Sequence, residues 1–252
     1  MNVSFVVLHT LIAQAQKAFA MLLQRAATTG PMTPTQYQRY LSMQYHFTKG
    51  VQAQFMRAAA HRDLAHRKSL RRFLFNFANE EEQHYLVGAK DLGHLELPIL
   101  PESLDVMLWH LYAENIVDEK PFQRLGTTCI LENISGGVAR SPVQQALRAP
   151  FLNEGNTRFL VLHQHELLPH GEQILAALEA ARLEPDHIAQ LETGARIGTV
   201  MYLRMAEWAL FPDCLSSLCE QADRAQLSDA EHAEIAAFDE AELYPSDNRH
   251  TT

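Results

Sequence analysis

A chain of 252 residues with 47% hydrophobic content can bury a sizeable core, and this places it in the globular class. Its formal net charge of -9 and pI near 5.8 exclude a binder driven by phosphate contacts, which needs clustered Lys and Arg. The one basic run, His66-Arg67-Lys68 through Arg71-Arg72, reads as a solvated helix face, and Cys129, Cys214 and Cys219 form no CxxC pair of a disulfide or zinc framework, so a cytoplasmic protein is expected.

In chain order, Phe5, Leu8, Ile12, Phe19 and Leu22 recur at helical spacing and predict a first helix over 3–27, closed by Gly30-Pro31. His, Gln and Lys inside this apolar run make it an amphipathic helix rather than a signal or a membrane span. Thr33-Pro34 opens a second helix to about residue 60, with His46 on its apolar side. Asp63 caps a long third helix to Gly93 that holds Glu80, Glu81, Glu82 and His84. After a proline-containing loop, Ser103 caps a fourth. Pro121 starts the next, where Glu132 stands among Cys129, Ile130, Leu131 and Ile134. Ser141-Pro142 begins a short helix, residues 159–175 read FLVLHQHELLPHGEQIL, and Pro185 opens a helix to Phe211. Two short stretches near 214–224 and 229–241 close the pattern, and 246–252 reads as a disordered tail. No stretch alternates as a strand does. The expectation is an all-α, single-domain bundle of about seven main helices spanning 1–245.

Chemistry-bearing residues recur against apolar neighbours. His163, Glu166 and His170 are three and seven residues apart and share one helical face, with Pro169 bending the axis before His170. Glu81-x-x-His84 can project two ligands from one turn, although a lone buried His is more often simply hydrogen-bonded. Glu132, if buried, needs a cation, a metal or a proton. Together Glu81, His84, Glu132, His163, Glu166 and His170 are oxygen and imidazole donors without thiolate, a set that suits two iron or manganese ions better than structural zinc. Arg140, Arg158, Arg196 and Arg204 are candidate anchors for a substrate carboxylate and are read first as surface ion-pair partners.

In Glu81-x-x-His84 with the following YLVGAKDLG, then CILENISGG, then FLVLHQHELLPH, the chain resembles the heme-oxygenase-like diiron oxidase and oxygenase superfamily over about residues 35–210. Its all-α fold is shared with heme oxygenases, thiaminase-type TenA proteins and the PqqC oxidase. The resemblance implies Glu81 and His84 as ligands from an early helix, Glu132 as the bridging carboxylate, and His163 and His170 as the late histidines. Where the superfamily's late helix places an Asp, this chain has Leu167 beside Glu166. His46 falls near the further Glu of the superfamily's alkene-forming fatty-acid decarboxylase and is a seventh candidate ligand. The activity implied by the resemblance is that of a non-heme enzyme with two Fe(II) ions, Mn being the other candidate, that uses dioxygen on a small carboxylate-bearing metabolite of the amino-acid, fatty-acid or arylamine class. An external electron donor and a homodimer fit this reading; nucleic acid and membrane do not. Two alternatives stand beside it, a TenA-like hydrolase with Cys129 as nucleophile and a non-catalytic heme- or ligand-binding protein with His46 or His84 as axial ligand.

Overall fold

The computed structural model describes residues 5–162, 170–212 and 227–239, and among these the regular elements are all helical. In order they are α1 (Val6–Ala27), α2 (Pro34–Thr48), α3 (Val51–Ala60), α4 (Lys68–Glu81), α5 (His84–Gly93), α6 (Leu104–Glu119), α7 (Pro121–Leu131), α8 (Arg140–Ala146), α9 (Arg158–Leu162), α10 (His170–Ala180), α11 (Pro185–Leu210) and α12 (Asp229–Ala237). The expected all-α bundle is what the chain forms. The tail at 246–252 lies outside the described residues.

Two expected long helices are each broken once. The 34–60 helix stops at Thr48 because Gly50 adopts φ 80°, a left-handed conformation that ends a helix at little steric cost to glycine. Its start is as read: the Gln36 N–H donates to Thr33 Oγ1 at 3.2 Å while the Thr33 N–H donates to Gln36 Oε1 at 2.9 Å. The 63–93 helix begins later, at Lys68, with Asp63 in a short 3-10 turn, and breaks after Glu81. Glu80 and Glu81 lie in the last turn of α4, where no basic residue offsets them and the helix dipole is negative, so extension is opposed there. Gln83, at φ -117° and ψ 6°, turns the chain, and α5 restarts at His84.

The centre of the bundle is the pair α7 and α11, which meet backbone to backbone. A Cβ on Gly126 would lie 2.1 Å from the Leu191 carbonyl oxygen, and one on Gly194 would lie 1.8 Å from that of Gln123. Around this pair Leu8, Ile12 and Phe19 of α1, Phe55 of α3, Leu74 and Phe77 of α4, Trp109 of α6 and Ile174 of α10 close the main core. By length and composition α1 could cross a membrane, at a mean hydropathy of 1.4. Its Leu8, Ile12, Ala15 and Phe19 are nevertheless at most 7% exposed in this core, where they pack as those of a core helix do.

A second core joins α2, α5 and α9 through Tyr37, Leu41, Tyr45, Leu86, Val87 and Phe159, and Phe238 after α12 seals it. Lys49 Nζ to Glu231 Oε1, 2.7 Å, and a hydrogen bond from the Tyr85 hydroxyl to Glu234 tie α12 down. Asp91 of α5, fully buried, accepts the Phe159 N–H at 2.9 Å and so caps the start of α9. Burial pushes the Asp91 carboxyl up to about 6, against the pull of the Phe159 and Arg158 N–H groups.

Gly194→Ala is expected to cost about 1–3 kcal/mol, since neither backbone can yield, and to lower Tm by several degrees. Gly93→Ala, whose Cβ would meet nothing within 4 Å, is the control and should leave Tm within a degree or so. Asp91 supplies a pH test: its folded pKa lies above the ordinary 3.8, so the stability it contributes is fully present below about 4 and declines as pH rises through about 6. Asp91→Asn keeps the acceptor without the charge. Stability curves of the two proteins should therefore converge at pH 4 and separate by about 2–3 kcal/mol in favour of Asn above pH 6, measured by urea titration.

Candidate metal centre

The break after Glu81 sets the geometry of the site. Glu81 ends α4 and His84 opens α5, so the two side chains flank a turn, and His84 Nδ1 lies 2.9 Å from Glu81 Oε2. Both are buried. Glu132 follows the last residue of α7 as its C-cap, carried there by the α7–α11 contact. His170 opens α10 and reaches Glu81 Oε1 with Nδ1 at 2.9 Å and Glu132 Oε2 at 3.7 Å, while its Nε2 lies 3.3 Å from Glu80 Oε2. The ring of His170 runs parallel to that of His84, 6.2 Å away, and takes the edge-on ring of Phe77 at 4.8 Å. A small residue makes the approach of α10 possible: a Cβ on Gly171 would stand 2.4 Å from Asn133 Oδ1. Asn133 is itself tied to α7 by its Nδ2 donating to the Cys129 carbonyl at 2.8 Å, and to α1 by Gln16 donating to the Asn133 carbonyl at 2.9 Å.

One ligand atom each from Glu81, Glu132 and His170 lies within 4.8 Å of the others. Donors at about 2.0–2.2 Å from one ion are at most about 4.4 Å apart, so a shift of a few tenths of an ångström completes such a set. Two carboxylates and an imidazole form a hard donor set of the iron or manganese type. The electrostatics point the same way. Burial alone would lower the His170 pKa, but the hydrogen bonds and charges of Glu132 and Glu81 outweigh it and push it up to about 11. The metal-free site is therefore a carboxylate pair whose charge an imidazolium offsets in part, and a metal ion would replace the imidazolium's proton. Arg124 adds a fixed cation on α7. It is 1% exposed, held by Gln54 Oε1 at 2.9 Å and Thr128 Oγ1 at 2.6 Å, and faces the rings of Phe55 and Trp109. Burial lowers its pKa to about 10, and the nearby Glu132 charge works against that fall.

Glu81 and Glu132 also line a cavity of about 130 Å³ whose other walls are largely apolar, among them Phe19, Leu23, Phe47, Phe159 and Leu210. Its polar wall is a cluster that the sequence pattern did not reveal. The Tyr40 and Tyr202 hydroxyls are 2.8 Å apart, and Gln44 Nε2 donates to both at 3.0 Å. Tyr40 and Gln44 one turn apart on the inward face of α2 were the signal for it.

Of the seven residues expected from sequence, the structure brings Glu81, His84, Glu132 and His170 together. His163 and Glu166, with Pro169 and Leu167, lie outside the described residues. His46 is not part of the group: its Nε2 meets the Leu100 carbonyl at 2.8 Å, on the loop side of α2, and burial lowers its pKa. Arg140, Arg158, Arg196 and Arg204 are exposed and none lines the cavity. Cys129 is fully buried in the main core, where burial and then the Glu132 charge push its thiol far up, so the hydrolase reading loses its nucleophile. Of the two candidate axial ligands of the heme reading, His46 turns its Nε2 to the Leu100 carbonyl and His84 turns its Nδ1 to Glu81.

No protein-family model matches the chain, and no curated protein matches it. A solved structure does, described as a domain of unknown function with a heme oxygenase-like fold from Shewanella denitrificans OS217 at 2.30 Å resolution. The two superpose with a TM-score of 0.75 over 90% of this chain and 100% of that one, at 16% sequence identity. The chain has a heme oxygenase-like fold. At that identity the likeness establishes the heme oxygenase-like architecture and leaves the chemistry to the site itself.

His170→Ala removes both a donor and the positive charge set between two carboxylates. It is expected to abolish tight metal binding and to lower the stability of the metal-free protein by about 3 kcal/mol or more. Metal uptake by the wild type should release about one proton, read in a weakly buffered calorimetric titration, and His170→Ala should release none.

Proposed function

We propose that the chain is a non-heme iron enzyme that uses dioxygen to oxidise a small organic substrate, with two Fe(II) ions as the expected complement. What supports this reading best is the convergence of Glu81, Glu132 and His170 beside an apolar cavity that two of them line. These residues would hold one ion, with His84 and the late segment containing His163 and Glu166 as the source of ligands for a second. Bound there, ferrous iron supplies the electrons and the Lewis acidity for reaction with dioxygen. The protein's own part rests on its residues. Phe19, Leu23, Phe47 and Leu210 exclude water from the reacting end of the substrate. The Tyr40–Gln44–Tyr202 cluster offers hydroxyl and amide groups to a polar substituent, the carboxylate of an amino-acid, fatty-acid or arylamine-class metabolite included. No Arg or Lys lines the cavity among the described residues, so such a carboxylate would be held by neutral donors or by the metal. His84 holds the Glu81 carboxylate by one oxygen and so orients the other. An external donor would return the electrons between turnovers.

The test is metal analysis of protein produced with iron, followed by anaerobic reconstitution with ferrous iron and exposure to oxygen. The expected result is one to two equivalents of bound iron and oxygen consumption that His170→Ala and Glu132→Ala abolish. Protein that takes up neither iron nor manganese, or oxygen consumption identical in His170→Ala, would overturn the reading.

A further inference from the structure

Beside the cavity at Glu81 and Glu132 lies a second, larger one of about 320 Å³, lined by the end of α1, the turn at Gly30–Met32, the start of α2, and α8 with the residues that follow it. Leu23, Met32, Ala146 and Leu210 line both cavities, so these four side chains are the partition between an inner and an outer chamber. The two chambers also share their long walls. On α1 the inward face runs Phe19, Leu23, Ala27 from the inner chamber to the outer, about 12 Å, and on α2 it runs Thr48, Gln44, Tyr40, Gln36, about 18 Å. The partition is braced where Gln36 Nε2 donates to the Leu210 carbonyl at 3.1 Å. Charge differs between the ends. The inner chamber carries Glu81 and Glu132, whereas Arg148 lines the outer one, and no Asp or Glu does so among the described residues.

We propose that the two chambers form one elongated binding site for an amphiphile, an alkyl chain with a carboxylate or phosphate head, which lies with its head at Arg148 and its chain across the partition toward Glu81 and Glu132. The inference rests on the iron reading only for the chemistry at the inner end. Electrostatics set the direction. A head at the inner end would give up its water and face two carboxylates whose charge His170 offsets only in part. A head at the outer end meets an exposed guanidinium, so both ions keep much of their hydration, and the planar fork of an arginine takes two oxygens of a carboxylate or phosphate at once. The chain takes the apolar course. Leu23 and Leu210 are 8% and 2% exposed and form the fixed part of the partition. Ala146 is its smallest member, and Met32, unbranched and half-buried, is the one able to turn aside for a chain. The combined length selects a long ligand over a compact one.

Isothermal titration calorimetry of the metal-free full chain with straight-chain probes tests the proposal apart from the iron chemistry, so that its failure and that of the iron reading are distinguishable. From hexanoate to decanoate the affinity is expected to rise about threefold to fourfold per methylene buried. Decanoate and decyl phosphate should each bind at least about tenfold more tightly than decanol, and the tighter of the two names the head. Arg148→Gln should bring both down to the affinity of decanol and leave decanol itself unchanged. Ala146→Phe should end the gain per methylene at a shorter chain while keeping the preference for an anionic head, with circular dichroism unchanged because residue 146 is only partly buried. Decanoate bound equally by the wild type and Arg148→Gln overturns the proposal, since the head then lies elsewhere. Affinity that does not grow beyond hexanoate overturns it as well, since the chain then stops short of the partition, and so does a failure of every probe to bind.

Discussion

Two carboxylates held close together inside a helical bundle are the constraint around which this molecule is arranged. Glu81 is 4% exposed, Glu132 lies at a helix end against the main core, and both point toward one imidazole. An isolated buried carboxylate costs several kcal/mol, so such a pair persists only with a cation at hand. His170 is that cation in the metal-free protein, at 2.9 Å from one and 3.7 Å from the other. The arrangement is thus stable only in states that carry positive charge between the two acids, and a proton and a divalent ion are the two ways to supply it.

The rest of the fold brings three chain segments to that point by interruptions and close approaches, more than by the helices themselves. α4 stops at its acidic end, with Glu81 as its last residue, and the turn that follows lets His84 fold back beside it. α7 reaches the site because Gly126 and Gly194 permit backbone contact with α11, and its C-cap is Glu132. α10 comes in over Asn133 because residue 171 has no side chain. Each is a position where a larger residue or a continued helix would move a ligand by an ångström or more, a displacement on the scale that separates a working site from a loose one.

Much of this was legible in the sequence, and the reasons differ by residue. Glu132 stood out because a carboxylate between Ile130, Leu131 and Ile134 conflicts with its surroundings, and a conflict with local pattern marks a functional position. Glu81-x-x-His84 was visible as spacing, but spacing assumed a continuous helix. The observed turn instead sets the two on either side of a helix break, with His84 Nδ1 against Glu81 Oε2. Gly50 and the acidic end of α4 were the signals for the two breaks, and both were outweighed by the apolar periodicity on either side. His46 failed because periodicity places a residue on a face without telling which neighbour that face meets; here it is the carbonyl of Leu100. Tyr40 and Gln44 were legible only as neighbours on one face of α2, since Tyr202 stands 162 and 158 residues away from them and only packing joins it to the pair.

A second cation, Arg124, lies near the site in the interior of the bundle. Arg124 is a buried cation whose faces are covered by Phe55 and Trp109, and whose hydrogen bonds go to Gln54, Thr127 and Thr128 rather than to an acid. Such a guanidinium keeps its charge without an adjacent carboxylate because the aromatic faces and neutral acceptors replace much of its hydration. The charge of Glu132, two turns further along the same helix, works against the fall in the Arg124 pKa. A direct salt bridge would have done the same electrostatic work while consuming the donor atoms that a metal needs. Trp109 belongs to α6, so that helix supplies one of the two aromatic faces that cover the buried cation.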